Sequence, residues 1–124
     1  MVDSPGEAHP VSELSPPPAI LLMALSHPAR RAVLRVMMRT NSRVSPKELS
    51  ERIHMSLNGL SYHVRLLAKF EAIRPAGDEP VRGATKHYYA LGRLVKENRA
   101  AVELLMASYD GPEEDEDHLS SPTG

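Results

Sequence analysis

Two capped helix starts, at Ser45 and Ser56, constrain this chain more than any other feature. Ser45-Pro46-Lys47-Glu48 places a hydroxyl at the cap, proline at the first helical position and a carboxylate three residues on. That set satisfies the free N–H groups of a helix start. Leu49 and Ile53, four apart, form the buried side of the helix it opens. His54-Met55 turns the chain, and Ser56 caps a second helix over 57–70. There Leu60, Val64 and Leu67 sit at i, i+4 and i+7, so one face packs inward. A short helix, a turn of a few residues and a second helix make a helix-turn-helix unit.

The flanking segments extend the pattern. Ala19 to Leu25 is a short apolar helix that begins after Pro16-Pro17-Pro18. Ser26-His27-Pro28 caps a longer one, in which Val33, Leu34, Met37 and Met38 recur at helical spacing. Arg30, Arg31, Arg35 and Arg39 fall mostly on its other faces. After Ile73 the period changes: Pro75, Gly77, Asp78, Pro80 and Gly83 break any helix, and Lys86 to Leu91 is aromatic and strand-like. Two short strands around a Gly/Pro loop then form a hairpin over 74–91. Leu91, Leu94, Val95, Asn98, Val102, Leu105 and Tyr109 advance by threes and fours as one final helix. The expected fold class is mainly α with a small β-hairpin wing.

The chain is long enough for one domain, at 124 residues. Its net charge of -1 hides a segregation of signs. Residues 1–25 carry three acids and no base. Residues 26–93 carry thirteen Lys/Arg against five acids, and residues 94–124 carry two against eight. A block of +8 between acidic ends points to a polyanion or an anionic surface as partner. Seven of the eleven prolines lie in residues 1–18 or 112–122. Residues 1–18 therefore read as a disordered Pro-rich leader, 19–109 as the folded domain and 110–124 as a disordered acidic tail.

Several classes are excluded. No Cys means no disulfide framework, thiolate zinc site or cysteine nucleophile. The longest apolar run, Ala19 to Leu25, is far short of the ~20 residues that span a bilayer. No basic residue precedes Arg30, so the charged start of a signal peptide is missing, and a cytoplasmic location is expected. No glycine-rich phosphate loop, paired core carboxylates or nucleophile elbow marks an enzyme. The six His, at positions 9, 27, 54, 63, 87 and 118, lack ligand spacing, so neither metal nor cofactor is expected.

With Leu60, Val64 and Leu67 inward, Asn58, Ser61, Tyr62 and Arg65 project from other faces. Amide, hydroxyl and guanidinium groups match base edges and phosphates in the major groove. Ser56 marks a helix N-terminus that offers N–H groups to a phosphate. Gly59 costs ~1 kcal/mol in a helix, which fits either close backbone approach to DNA or local crowding. His63 is either a phosphate-contacting ring or a partly buried hydrogen-bonded one; flanking Tyr62 and Arg65 favour the phosphate contact. In the wing, Arg82, Lys86 and His87 suit phosphate or minor-groove contact. Tyr88 and Tyr89 alternate, so one packs inward and one outward. Ile20, Leu21 and Met23, with Leu94, Val102 and Leu105, form seams too apolar for solvent, which a two-fold homodimer would bury.

Four segments in register resemble the arsenical-repressor (ArsR) winged-helix regulators. They are Leu25-Ser26-His27-Pro28-Ala29-Arg30-Arg31-Ala32-Val33-Leu34, Glu48-Leu49-Ser50, Ser56 with Leu60-Ser61-Tyr62-His63-Val64, and Arg82 through Leu91. The resemblance spans roughly Ala24 to Leu105 and implies a prokaryotic homodimeric repressor that binds double-stranded operator DNA. It also favours His at position 63. Where metal-sensing members carry thiolates, this chain has Ser45, Pro46 and Lys47, and Leu91 to Tyr109 holds no His. A small organic ligand, a protein partner or no effector remains open. The alternative functions are a winged helix that engages another protein through Leu57, Tyr62 and the acidic tail, and binding of double-stranded RNA. The narrow RNA major groove disfavours the latter.

Overall fold

The computed structural model describes residues 17–111. In chain order these form α1 (Ala19–Ala24), α2 (Pro28–Thr40), α3 (Pro46–Ile53), α4 (Leu57–Lys69), β1 (Ile73–Val81), β2 (Ala84–Leu91), α5 (Arg93–Glu97) and α6 (Arg99–Asp110). The leader and the acidic run lie outside the described residues, apart from Pro17, Pro18, Asp110 and Gly111. Among the described residues no helix is long and apolar enough to cross a membrane.

Local chemistry sets the helix boundaries. The His27 ring accepts from the Ala29 N–H at 3.0 Å, and Pro28 opens α2. Both halves of the capping box are made at α3: Glu48 N to Ser45 Oγ at 3.2 Å, and Ser45 N to Glu48 Oε1 at 2.9 Å. His54, with φ 59°, ends α3 in the left-handed region, and Ser56 Oγ caps α4 by accepting from Gly59 N. Leu21, Leu34, Met37, Leu49, Leu60 and Leu67 meet in one fully buried core with Val95 and Val102. Each such side chain removed from water contributes about 1.5–3 kcal/mol.

The wing differs from its expected layout. The Pro/Gly-rich stretch is not the hairpin loop; it is β1 itself. The strands pair antiparallel from Ile73↔Leu91 to Val81↔Ala84, so only Arg82 and Gly83 turn the chain. Both have positive φ, 52° and 80°, as a two-residue turn matched to strand twist requires. β1 tolerates its prolines because it is the outer strand of a two-stranded sheet. The register slips between Pro75 and Asp78, a bulge containing Gly77. Val44 and Tyr89 exchange backbone bonds at 2.8 and 2.9 Å, which ties the wing to the entry of α3.

The final helix is also not continuous. It breaks at Asn98, whose side-chain amide donates to the Leu94 carbonyl at 2.8 Å. An Asn that satisfies the preceding turn with its side chain offers the backbone a way out of the helix. Gly92 starts this region against the link between α4 and β1: a Cβ there would collide with the Glu71 carbonyl oxygen. Two residues expected at a dimer seam, Leu21 and Val102, are fully buried within the chain's own core. Leu94 and Leu105 are half-buried against that core. The break turns α6 so that Val102 and Met106 face in and Leu104, 70% exposed, faces out.

Candidate nucleic-acid interface

α4 presents two unlike faces. Leu60, His63, Val64 and Leu67 are buried, whereas Asn58, Tyr62 and Arg65 are exposed and Ser61 is half-exposed. Tyr62 is 54% exposed, a large ring held out beside polar neighbours. The dipole of α4 starts at Ser56, whose hydroxyl is engaged by Gly59 N. A Cβ on Gly59 would come within 3.2 Å of that hydroxyl and 3.3 Å of the Met55 methyl. A side chain here would need the hydroxyl or the Met55 methyl to give by a few tenths of an ångström, so crowding in the turn bears on this glycine.

His63 takes the buried one of its two readings. It is 8% exposed, its Nδ1 lies 3.2 Å from Arg30 Nη1, and its ring centroid is 4.3 Å from that of His27. Because a guanidinium can only donate, Nδ1 is the acceptor and His63 is neutral. Burial pushes its pKa below the ordinary imidazole value, and charge on His27 and Arg30 adds to the shift. The burial has a simple cause: position 63 falls between Leu60 and Leu67 on the inward side of the helix.

Arg30 and Arg31 are likewise internal. Arg30 Nε donates to the Ala24 carbonyl at 3.0 Å, and its Nη2 reaches Met23 O and Ser26 Oγ. Arg31 donates to Leu25 O at 2.8 Å and grips Asp110 with two nitrogens at 2.9 and 3.0 Å. Arg35 joins Asp110 at 2.8 Å. Hydrogen bonds from Arg31 and then Arg35 hold the Asp110 carboxyl down at about 2. Asp110 is therefore the last residue of α6 and a clamp onto α2, not the first of an acidic tail. The sequence did carry a signal: Arg30 stands three and four residues before Val33 and Leu34, on their face of α2.

The wing cations divide. Lys86 Nζ lies 3.5 Å from Glu48 and over the Tyr88 ring, and Tyr88 with Glu48 raises its pKa. The same Glu48, bonded by Ser45 N–H and facing Lys86, titrates below the usual carboxylate range. His87 Nδ1 meets Asp78 across the strands at 2.8 Å. Two of the three expected wing contacts are thus already engaged by carboxylates, while the third, Arg82, stands exposed at the tip. Tyr89 is the inward ring; Tyr88 faces out, bonded to Glu79 and covered by the Arg43 guanidinium at 4.0 Å.

Between α4 and the wing lies a groove of about 690 Å³. Ser61, Val64 and Arg65 line one side, Val81, Ala84 and Thr85 the other, and Lys47 the α3 end. Leu57, expected only as a contact to a protein partner, also stands on this groove.

The chain matches the helix-turn-helix domain family over residues 25–75. Its structure is similar to HlyU from Vibrio cholerae N16961, 25% identical over 73% of this chain and 89% of that one, with a TM-score of 0.55. An ArsR family transcriptional regulator, RHA00566, is 26% identical with the same two coverages and a TM-score of 0.52. The homodimeric winged helix-turn-helix DNA-binding domain of Mb0332 from Mycobacterium bovis shares the fold at 14% identity, over 87% of this chain and 88% of that one, TM-score 0.53. A comparison with the curated proteins gives no match.

Proposed function

This chain is a winged helix-turn-helix protein resembling the ArsR regulators, and from that premise we propose that it is a dimeric, sequence-specific DNA-binding repressor of transcription rather than an enzyme. The observation that carries the reading is the exposed ridge Asn58, Ser61, Tyr62 and Arg65, which runs into a groove bordered by Lys47 and the wing. Hydroxyl, amide and guanidinium groups on one helix face suit base edges in the major groove. Arg82 at the wing tip suits the backbone or the minor groove. Ser56 and Gly59 bring the start of α4 to the duplex; Lys86 and His87 add a secondary, carboxylate-tempered attraction. His63 acts indirectly, by seating the helix.

The dimer uses the apolar groups that the fold leaves outside: Ile20, Leu22 and Met23 of α1 with Leu104 and Tyr109 of α6. The homodimeric state of the Mb0332 domain supports a dimer. Leu104→Asp should shift the parent dimer towards monomer in sedimentation at tens of micromolar, a working range for modest affinity.

Binding-site selection with random duplexes tests the function. The expected outcome is a palindrome with half-sites one helical turn apart. Asn58→Ala and Ser61→Ala should relax base preference at single positions, whereas Arg82→Ala should weaken all DNA about equally. Recovery of no enriched sequence would overturn the reading.

A further inference from the structure

We propose that Leu57 reads the 5-methyl group of thymine, making an A·T pair part of each half-site; this rests on the DNA-binding reading above. Leu57 is the first residue of α4 and is 48% exposed, while Leu60, Val64 and Leu67 supply that helix's share of the core. Leu57 is no member of that buried core, and about half of it stays in water. It shares a groove wall with Ser61 and Arg65, which follow at successive four-residue steps. Across the groove stands Val81, 43% exposed, the last residue of β1 before the wing tip.

The occupant follows from this chemistry. Lys47 and Arg65 border the groove with positive charge, beside a Lys86 already paired with Glu48, and that charge favours a polyanion. An α4 docked in the major groove brings its N-terminal residues to the base edges. Most of what a base pair displays there is hydrogen-bonding, and the apolar exception is the C5-methyl of thymine. Leucine can neither donate nor accept. It gains by covering a methyl, and it loses by desolvating the N4 amine that cytosine presents without giving it a partner. Leu57 thus both favours thymine and penalises cytosine, while Ser61 and Arg65 on the same wall supply the polar contacts.

The test uses the full chain and the operator recovered by site selection. Each thymine is replaced in turn by deoxyuridine, which removes the methyl and nothing else. The parent should lose about three- to fivefold in affinity at one position per half-site, the value of one buried methyl. Leu57→Ala should bind the thymine and uracil operators equally. At the same position, 5-methylcytosine should bind the parent better than cytosine. Equal parent affinity for thymine and uracil at every position would overturn the proposal and leave the DNA-binding reading intact. So would a Leu57→Ala protein that keeps the thymine preference, or that loses affinity for all sequences alike. Failure to recover any operator removes both, and is seen before uracil is introduced.

Discussion

The start of α2 and the exposed ridge of α4 draw arginines from the same basic stretch and use them in opposite ways. Arg30 and Arg31 are buried, each guanidinium hydrogen-bonded to carbonyls, a hydroxyl, an imidazole or a carboxylate. Arg65 on α4 is exposed and lines the groove. The first pair fastens α1, α4 and α6 to α2; the second residue has its charge left for a partner. Formal charge along a chain therefore overstates the field at the surface. Arg35, Arg43 and Lys86 are also matched by carboxylates.

The contrast is broken most directly by substitution. Arg30→Met should destabilise the fold by about 3 kcal/mol in urea unfolding, because it orphans buried acceptors, including the His63 nitrogen. Arg65→Ala should change stability by less than about 0.5 kcal/mol while weakening DNA binding. Equal stability losses in the two would erase the distinction.

A pH series sharpens the α2 side. His63 has its folded pKa below its unfolded value of 6.5, so the unfolded chain takes up the proton first. Stability should fall as pH drops from 6.5 towards the lowered folded value and level off beneath it. The slope is at most about 1.4 kcal/mol per pH unit. His63→Gln, which can still accept from Arg30, should flatten this window. An unchanged slope would place the effect elsewhere.

Smaller effects belong to the C-terminal end. Asp110→Asn should cost about 1 kcal/mol at neutral pH, a value kept low because the carboxylate is a third exposed. That difference should vanish as pH falls through the interval from 3.8 to about 2, where the parent carboxylate itself protonates. Deleting residues 112–124 spares the clamp and removes the five acids at 113–117. Such a deletion should leave stability unchanged and raise nonspecific DNA affinity a few-fold at low salt only, since exposed charges are screened within ~8 Å at physiological salt. A salt series identical to the parent's would assign the acidic run no part in DNA binding.

What was legible in the sequence was local. The cap at Ser45 with Glu48, the cap at Ser56 and the apolar period of α4 each involve residues within a turn or two, so composition and spacing determine them. The hairpin was legible as a change of period, though its turn was not: Arg82-Gly83 displaced the Gly/Pro stretch because strand register, not residue preference, fixes where a two-residue turn falls. The seam residues Leu21 and Val102 were misassigned for a related reason. An apolar stripe shows that a face is buried without showing against what. The fate of the charged and polar groups was decided only by tertiary structure. Arg30 meets His63 across 33 positions and Arg31 meets Asp110 across 79. Whether a guanidinium ends in a buried network or over a groove depends on which distant segment closes on it, and no local preference encodes that partner.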